Sequence, residues 1–197
     1  VSSVDYNHHS PSHLPVQNAC GRIEVLKGAE SVLFGSNAMS GVVNVVSPTM
    51  GEAQEKGSSV GIEVGERDFK RLKVSSGNKL DEKNAYYFSS SYNTDGGWRD
   101  LQDGQNLELF GKHYHKTDSG DKITTTFLGN VLRSHVAGYL TKEKYETTPT
   151  DSGLSISDPY SNYDYFMVSS RLDSDLGNGF SLVVEPYLRY DQSHMIA

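Results

Sequence analysis

The sequence predicts a mainly β chain: a small α+β unit followed by consecutive antiparallel strands that cross a membrane as part of a barrel. Three observations carry this. Apolar and polar residues alternate in short runs from about residue 58 to residue 190, the period-2 mark of strands with two unlike faces. Short Gly/Asp/Asn/Lys connections (Gly77 to Lys83, Thr117 to Asp121, Asp173 to Asn178) alternate with longer ones (Asn93 to Gln105, Ser134 to Asn162), and Gly65 to Asp68 is the short exception. Bacterial outer-membrane barrels have this asymmetry, whereas a soluble β-sandwich gives regular strands without it. The mean hydropathy of −0.53 is that of a soluble protein, as expected when lipid-facing and lumen-facing residues alternate.

The elements follow in order. Arg22-Ile23-Glu24-Val25 alternates as a strand and Gly28 breaks it. Ala29 to Phe34 fits a short helix, with Gly35 where a helix C-terminus favours a positive φ. Gly41 to Val46 is a β-branched strand closed by Ser47-Pro48, and Met50 to Lys56 is a polar linker. Strands are then expected around Val60–Val64, Leu72–Val74, Ala85–Tyr92, Leu107–Leu109, Ile123–Phe127, Phe166–Leu172 and Phe180–Leu188. Pro186 lies inside the last and cannot donate to a ladder. It implies a bulge, a position facing no partner, or an earlier strand end.

Composition narrows the function. A net charge of −7 on 197 residues argues against nucleic acid as a partner. No run of 18 apolar residues marks a transmembrane helix. The single Cys20 cannot form an internal disulfide and reads as a small buried residue. No P-loop, nucleophile elbow or H-E-x-x-H occurs. His8, His9 and His13 lack zinc-site spacing, and His113 with His115 is a bare pair on one strand face. The expectation is a protein that is not an enzyme and has no cofactor or resident metal. Both ends read as cut, with no initiator Met and no signal peptide, so the chain reads as a fragment.

The run Arg22 to Ser47, RIEVLKGAESVLFGSNAMSGVVNVVS, resembles the C-terminal half of the plug domain of TonB-dependent outer-membrane receptors. It departs from that signature at Ala29, where the family favours proline. Weaker resemblances link Glu185-Pro186-Tyr187-Leu188-Arg189-Tyr190 and Asp95-Gly96-Gly97-Trp98-Arg99-Asp100 to an early strand and the first long outer loop of siderophore and iron-complex receptors. The resemblance implies half a plug over 1–50, a linker over 51–57, and the first strands of a barrel over 58–197. It implies the outer membrane of a Gram-negative bacterium, contact with its lipid, and active uptake of a scarce ligand powered through TonB. The TonB box would lie outside this stretch. The ligand it suggests is a ferric siderophore or other metal complex. A saccharide or corrinoid receptor, or a plug-less carbohydrate-binding or adhesin β protein, is the alternative.

By position in the family, ligand contacts would come from Tyr6, Asn7, His8 and His9 before the plug strand, and from Trp98, Arg99, His135, Tyr139 and Tyr145 in outer loops. Aromatic faces with Arg suit an anionic iron catecholate, and suit sugars nearly as well. The resemblance also implies that plug charges pair with the barrel wall. Arg22, Glu24 and Lys27 are the plug candidates, and Glu63, Arg71, Glu108, Arg171, Glu185 and Arg189 are the lumen-phase partners. Unpaired, such charges cost several kcal/mol when buried.

Overall fold

A computed structural model describes residues 18, 21–27, 41–155 and 158–196. The expected helix over Ala29 to Phe34, Gly35, Cys20 and the candidates Tyr6, Asn7, His8 and His9 lie outside the described residues. The protein is mainly β, with antiparallel pairing throughout and a sheet that does not close on itself. Strands β1 (Arg22–Lys27) and β2 (Gly41–Val46) form a two-stranded unit in register Arg22↔Val46 to Lys27↔Gly41. Both strands fall where the alternation and the β-branched run place them.

Helix α1 (Met50–Glu55) occupies most of the stretch read as a linker. Its start is a capping box: Thr49 N donates to Glu52 Oε2 at 2.7 Å, and Glu52 N donates to Thr49 Oγ1 at 3.3 Å. The bond from Thr49 N, and then one from Thr49 Oγ1 at 2.8 Å, hold the Glu52 carboxyl below the usual carboxylate range. Ala53 is fully buried with Ala85, Tyr87, Phe110 and Tyr114, and the Tyr114 hydroxyl donates to the Pro48 carbonyl. Gly77 makes this packing possible, since a Cβ there would lie 2.6 Å from Ala53 O.

The large sheet has the order β10-β8-β7-β6-β5-β4-β3, with β9 also on β8. Its strands are β3 (Gly57–Val64), β4 (Lys70–Lys79), β5 (Asn84–Asp95), β6 (Gly104–Lys116), β7 (Lys122–His135), β8 (Tyr160–Gly177), β9 (Phe180–Val184) and β10 (Tyr187–Ile196). The turns 80–83, 117–121 and 178–179 lie at one end. The connections 65–69, 96–103 and 136–159 lie at the other, called the mouth here; the third carries a second short helix, α2 (Lys142–Thr147).

Register fixes the two faces. Val60, Ile62, Leu182 and Val184 share one face with Val74, Phe88, Phe127, Val168 and Leu188. That face is exposed: Val60 is 71%, Ile62 76% and Leu188 75% accessible. The opposite face carries Glu63, Arg71, Glu108, Arg171, Glu185 and Arg189 with Ser89, Ser91 and Asn130, and it holds the buried residues Tyr165 and Phe110. Polar residues inside and apolar residues outside invert the soluble pattern, as in a barrel wall in lipid. No helix among the described residues is long and apolar enough to cross a membrane, which says nothing of strands.

The apolar band also drifts across the ladder. The level of Ile62 reads Leu72, Tyr92, Leu107 and Val131, then turns polar at Asp164 and Gln192. The level of Leu188 reads Val168, Phe127, Gly111 and Phe88, then turns polar at Ser76 and Ser58. The band thus slips along the strands from β3 to β10, as it does when strands are tilted to a barrel axis.

Pro186 corrects one expectation. It neither bulges the strand nor faces empty space. Leu172↔Val184 and Ser169↔Tyr187 keep one register across it, and Ser170 N donates to Pro186 O at 3.1 Å. The ladder lacks only the bond that a proline nitrogen cannot make.

Candidate functional site

The mouth is built by three connections packed on one another. The β3–β4 turn is closed by Gly65 N to Phe69 O at 2.9 Å, with Arg67 and Asp68 at φ 56° and 58°. Gly96 N donates to Arg67 O at 2.7 Å, and a Cβ on Gly96 would lie 2.6 Å from that oxygen, so only glycine permits this approach. Trp98 then comes under the Arg67 guanidinium, 4.6 Å from the ring centroid. Gln102 Oε1 accepts from Trp98 N at 3.2 Å and Arg99 N at 3.1 Å, fixing the loop that carries both.

Around this pair lies a cavity of about 400 Å³, lined by Arg67, Asn93, Trp98, Gln102, Asn106 and Leu132 among others. Asn93 and Asn106 are opposite each other on the lumen-type face. The cavity offers one aromatic–cation platform and a set of neutral amides. Such a surface binds by stacking and by donating and accepting hydrogen bonds.

Arg99 does something else. Its Nε donates to Asp151 O at 3.0 Å, its Nη1 to Gly138 O at 2.7 Å and its Nη2 to Ser152 O at 2.9 Å. It ties the long 136–159 loop to the shorter one, with Asp100 N to Thr150 O at 2.7 Å beside it. Within the long loop, Gly153 N and then Lys144 hold the Asp151 carboxyl below its ordinary range. Tyr139 and Tyr145 are exposed.

His135 is a second tie between the loops. It lies at the mouth end of β7, beyond the apolar band, with Nδ1 2.9 Å from Asp103 and Nε2 3.0 Å from Asp158. Hydrogen bonding to Asp103 first, and to Asp158, raises its pKa above the ordinary imidazole value. A raised pKa means the stabilising contribution is complete below that ordinary value and is lost as pH climbs through the raised one. Hydrogen exchange in 136–159 should therefore quicken with rising pH, beyond the intrinsic base dependence, and His135→Gln should abolish that excess.

Among the described residues, the ion pairs of the candidate plug and wall charges run to neighbours on their own strands or the next one. Arg22 Nε contacts Glu24 Oε1 at 2.9 Å, Asn44 Nδ2 donates to Glu24 Oε2 at 3.1 Å, and Lys27 is exposed at the end of β1. On the wall, Glu63 contacts Arg71 at 3.3 Å and Lys73 at 2.8 Å. Arg171 contacts Asp173 at 2.7 Å and Glu185 at 3.6 Å, and Arg189 pairs with Asp191. The hydrogen bonds joining the N-terminal segment to the sheet run, among the described residues, through Tyr114–Pro48 and through a neutral side chain, Asn18. Asn18 Nδ2 donates to Ser91 Oγ and to Glu108 Oε2, each at 2.8 Å, and Ser89 Oγ donates to Asn18 Oδ1 at 3.2 Å. Sequence reasoning placed Glu108 in the lumen phase but missed Asn18, which sits in a stretch with no periodicity to mark it. It also missed Arg67, whose contact with Trp98 depends on two turns meeting.

No family model matches the chain. Part of it is similar to the vitamin B12 transporter BtuB of three Vibrio cholerae serotype O1 strains, including classical Ogawa and El Tor Inaba types. Identity is 32% over 77 residues, which is 39% of this chain and 12% of the transporter. The matched stretch thus spans about an eighth of that relative's length.

Proposed function

We infer that these residues belong to a TonB-dependent outer-membrane receptor, with the end of the plug over 1–50, a linker over 51–57 and the first barrel strands from 58 onward. The observation that carries this is the inverted sheet: a tilted apolar band on one face, and on the other a polar wall to which the N-terminal segment is bound. The Arg22 to Ser47 resemblance and the partial likeness to a vitamin B12 transporter support the same class. On this reading the protein binds its ligand at the mouth, TonB draws on the plug, and no covalent chemistry occurs.

The ligand that fits best is a corrinoid. Arg99 is engaged by three carbonyls. The mouth cavity on the lumen-type face thus offers one cation, Arg67 over Trp98, with Asp95 and the neutral amides of Asn93, Gln102 and Asn106. That balance disfavours a multiply anionic ferric catecholate and suits a bulky neutral ligand rich in amides. The ferric siderophore remains the second reading, favoured by the Arg67–Trp98 platform.

The test is equilibrium binding to the receptor carrying this sequence, inserted in lipid vesicles, with cyanocobalamin and a ferric tris-catecholate as probes. Tight cyanocobalamin binding, weakened about tenfold or more by Trp98→Ala, is expected. Tight binding of the iron complex alone would restore the siderophore reading. Failure of both with insertion intact would overturn both ligand readings.

A further inference from the structure

The carboxamide of Asn18 is held from every side. Its amino group has two acceptors, Ser91 Oγ and Glu108 Oε2, and its carbonyl has one donor, Ser89 Oγ. That set is the complement of any primary carboxamide. All three wall residues are buried: Ser89 is 6%, Ser91 4% and Glu108 7% exposed. Glu108 Oε1 accepts from Asn106 Nδ2 at 3.1 Å, which leaves Asn106 Oδ1 buried with no partner. Turning that amide over would set oxygen against oxygen, so the orphan is an acceptor awaiting an N–H or O–H.

This cradle adjoins the mouth cavity. The pair Ser91↔Glu108 lies one same-face step below Asn93↔Asn106, and both of those asparagines line the cavity. A group moving down the wall from the mouth meets the cradle next.

We propose that the cradle is a second station for the ligand, in which Ser89, Ser91 and Glu108 receive a primary carboxamide of the ligand when Asn18 withdraws, with Asn106 Oδ1 accepting a further N–H. The station rests on the corrinoid reading, because a corrinoid carries primary carboxamides around its ring. Exchange of one carboxamide for another keeps every hydrogen bond, so the buried Glu108 is not left without donors during the exchange. A carboxylate in the same place has no N–H to give and sets like charge against Glu108.

The experiment measures TonB-driven uptake of cyanocobalamin and of its monoacid derivatives, each with one peripheral amide hydrolysed, normalised to inserted receptor. Wild type should prefer the amide over at least one monoacid by about tenfold or more. Glu108→Gln, whose side chain can donate to a carboxylate, should shrink that preference by about tenfold. Ser89→Ala with Ser91→Ala should lower uptake even in an Asn18→Ala background, where a cradle serving only the N-terminal segment would have nothing left to lose. If Glu108→Gln does not insert, this last comparison decides. A preference unmoved in Glu108→Gln, or serine variants silent beside Asn18→Ala, would overturn the station alone. A wild type that binds no cyanocobalamin would overturn the corrinoid reading and the station with it.

Discussion

Val74→Arg should destabilise the lipid-inserted protein by about 2–4 kcal/mol, while Ser75→Arg, one residue along, should cost about 1 kcal/mol or less. Val74 lies at the centre of the apolar band on β4, level with Val60 and Leu109. A guanidinium there must leave water or drag water into hydrocarbon. Ser75 points the other way and gives up only a 2.8 Å hydroxyl contact with Ser59. An arginine there can reach the aqueous lumen. The measurement is urea unfolding from lipid vesicles, with the two variants compared at equal insertion. A water-exposed Val74 on a soluble sheet would tolerate Arg within about 0.5 kcal/mol. Equal, small effects at both positions would therefore remove the membrane reading of this face.

That contrast was legible in the sequence because strand phase has a period of two and needs no knowledge of the partner strand. The placing of Val60, Ile62, Leu182 and Val184 on one face, and of Glu63, Arg71, Glu108, Arg171, Glu185 and Arg189 on the other, follows from counting alone. Strand length was less legible. The expected Phe166–Leu172 strand is the core of an 18-residue strand. Its ends, such as Ser161 to Tyr165, are polar and aromatic without clean alternation, and the ladders of β7 and β10 hold them in place. Pro186 was read locally, yet its place is set by β8, which keeps register on both sides of the missing bond. Contacts between distant loops were least legible. Nothing near Arg99 announces that three carbonyls from 138–152 will converge on it. Trp98 and Arg99 are adjacent in the chain and were expected to act together, but one stacks with Arg67 and the other binds a loop.

Arg99→Ala should open the mouth rather than merely remove a ligand contact. The variant loses three charge-assisted bonds, to Gly138, Asp151 and Ser152, and leaves those carbonyls to find water. Such a bond contributes about 1.5–3 kcal/mol in a protected site, and partial exposure reduces that, so local opening of 136–159 should become easier by about 2–3 kcal/mol in total. Hydrogen exchange in that loop should then quicken roughly 30- to 140-fold, since each 1.4 kcal/mol is a factor of ten. Exchange in the sheet below Val131 should not change, because the loop adds no ladder bonds there. Arg99→Lys should rescue little of this. A single ammonium cannot address three carbonyls that a planar guanidinium meets along separate N–H directions. Ligand affinity should fall as well, through a mouth no longer held in shape, and Arg99→Ala should slow association more than Trp98→Ala does. If exchange in 136–159 is unchanged in Arg99→Ala while ligand affinity collapses, Arg99 touches the ligand directly and the tie between the loops is carried by His135 and the Asp100–Thr150 bond instead.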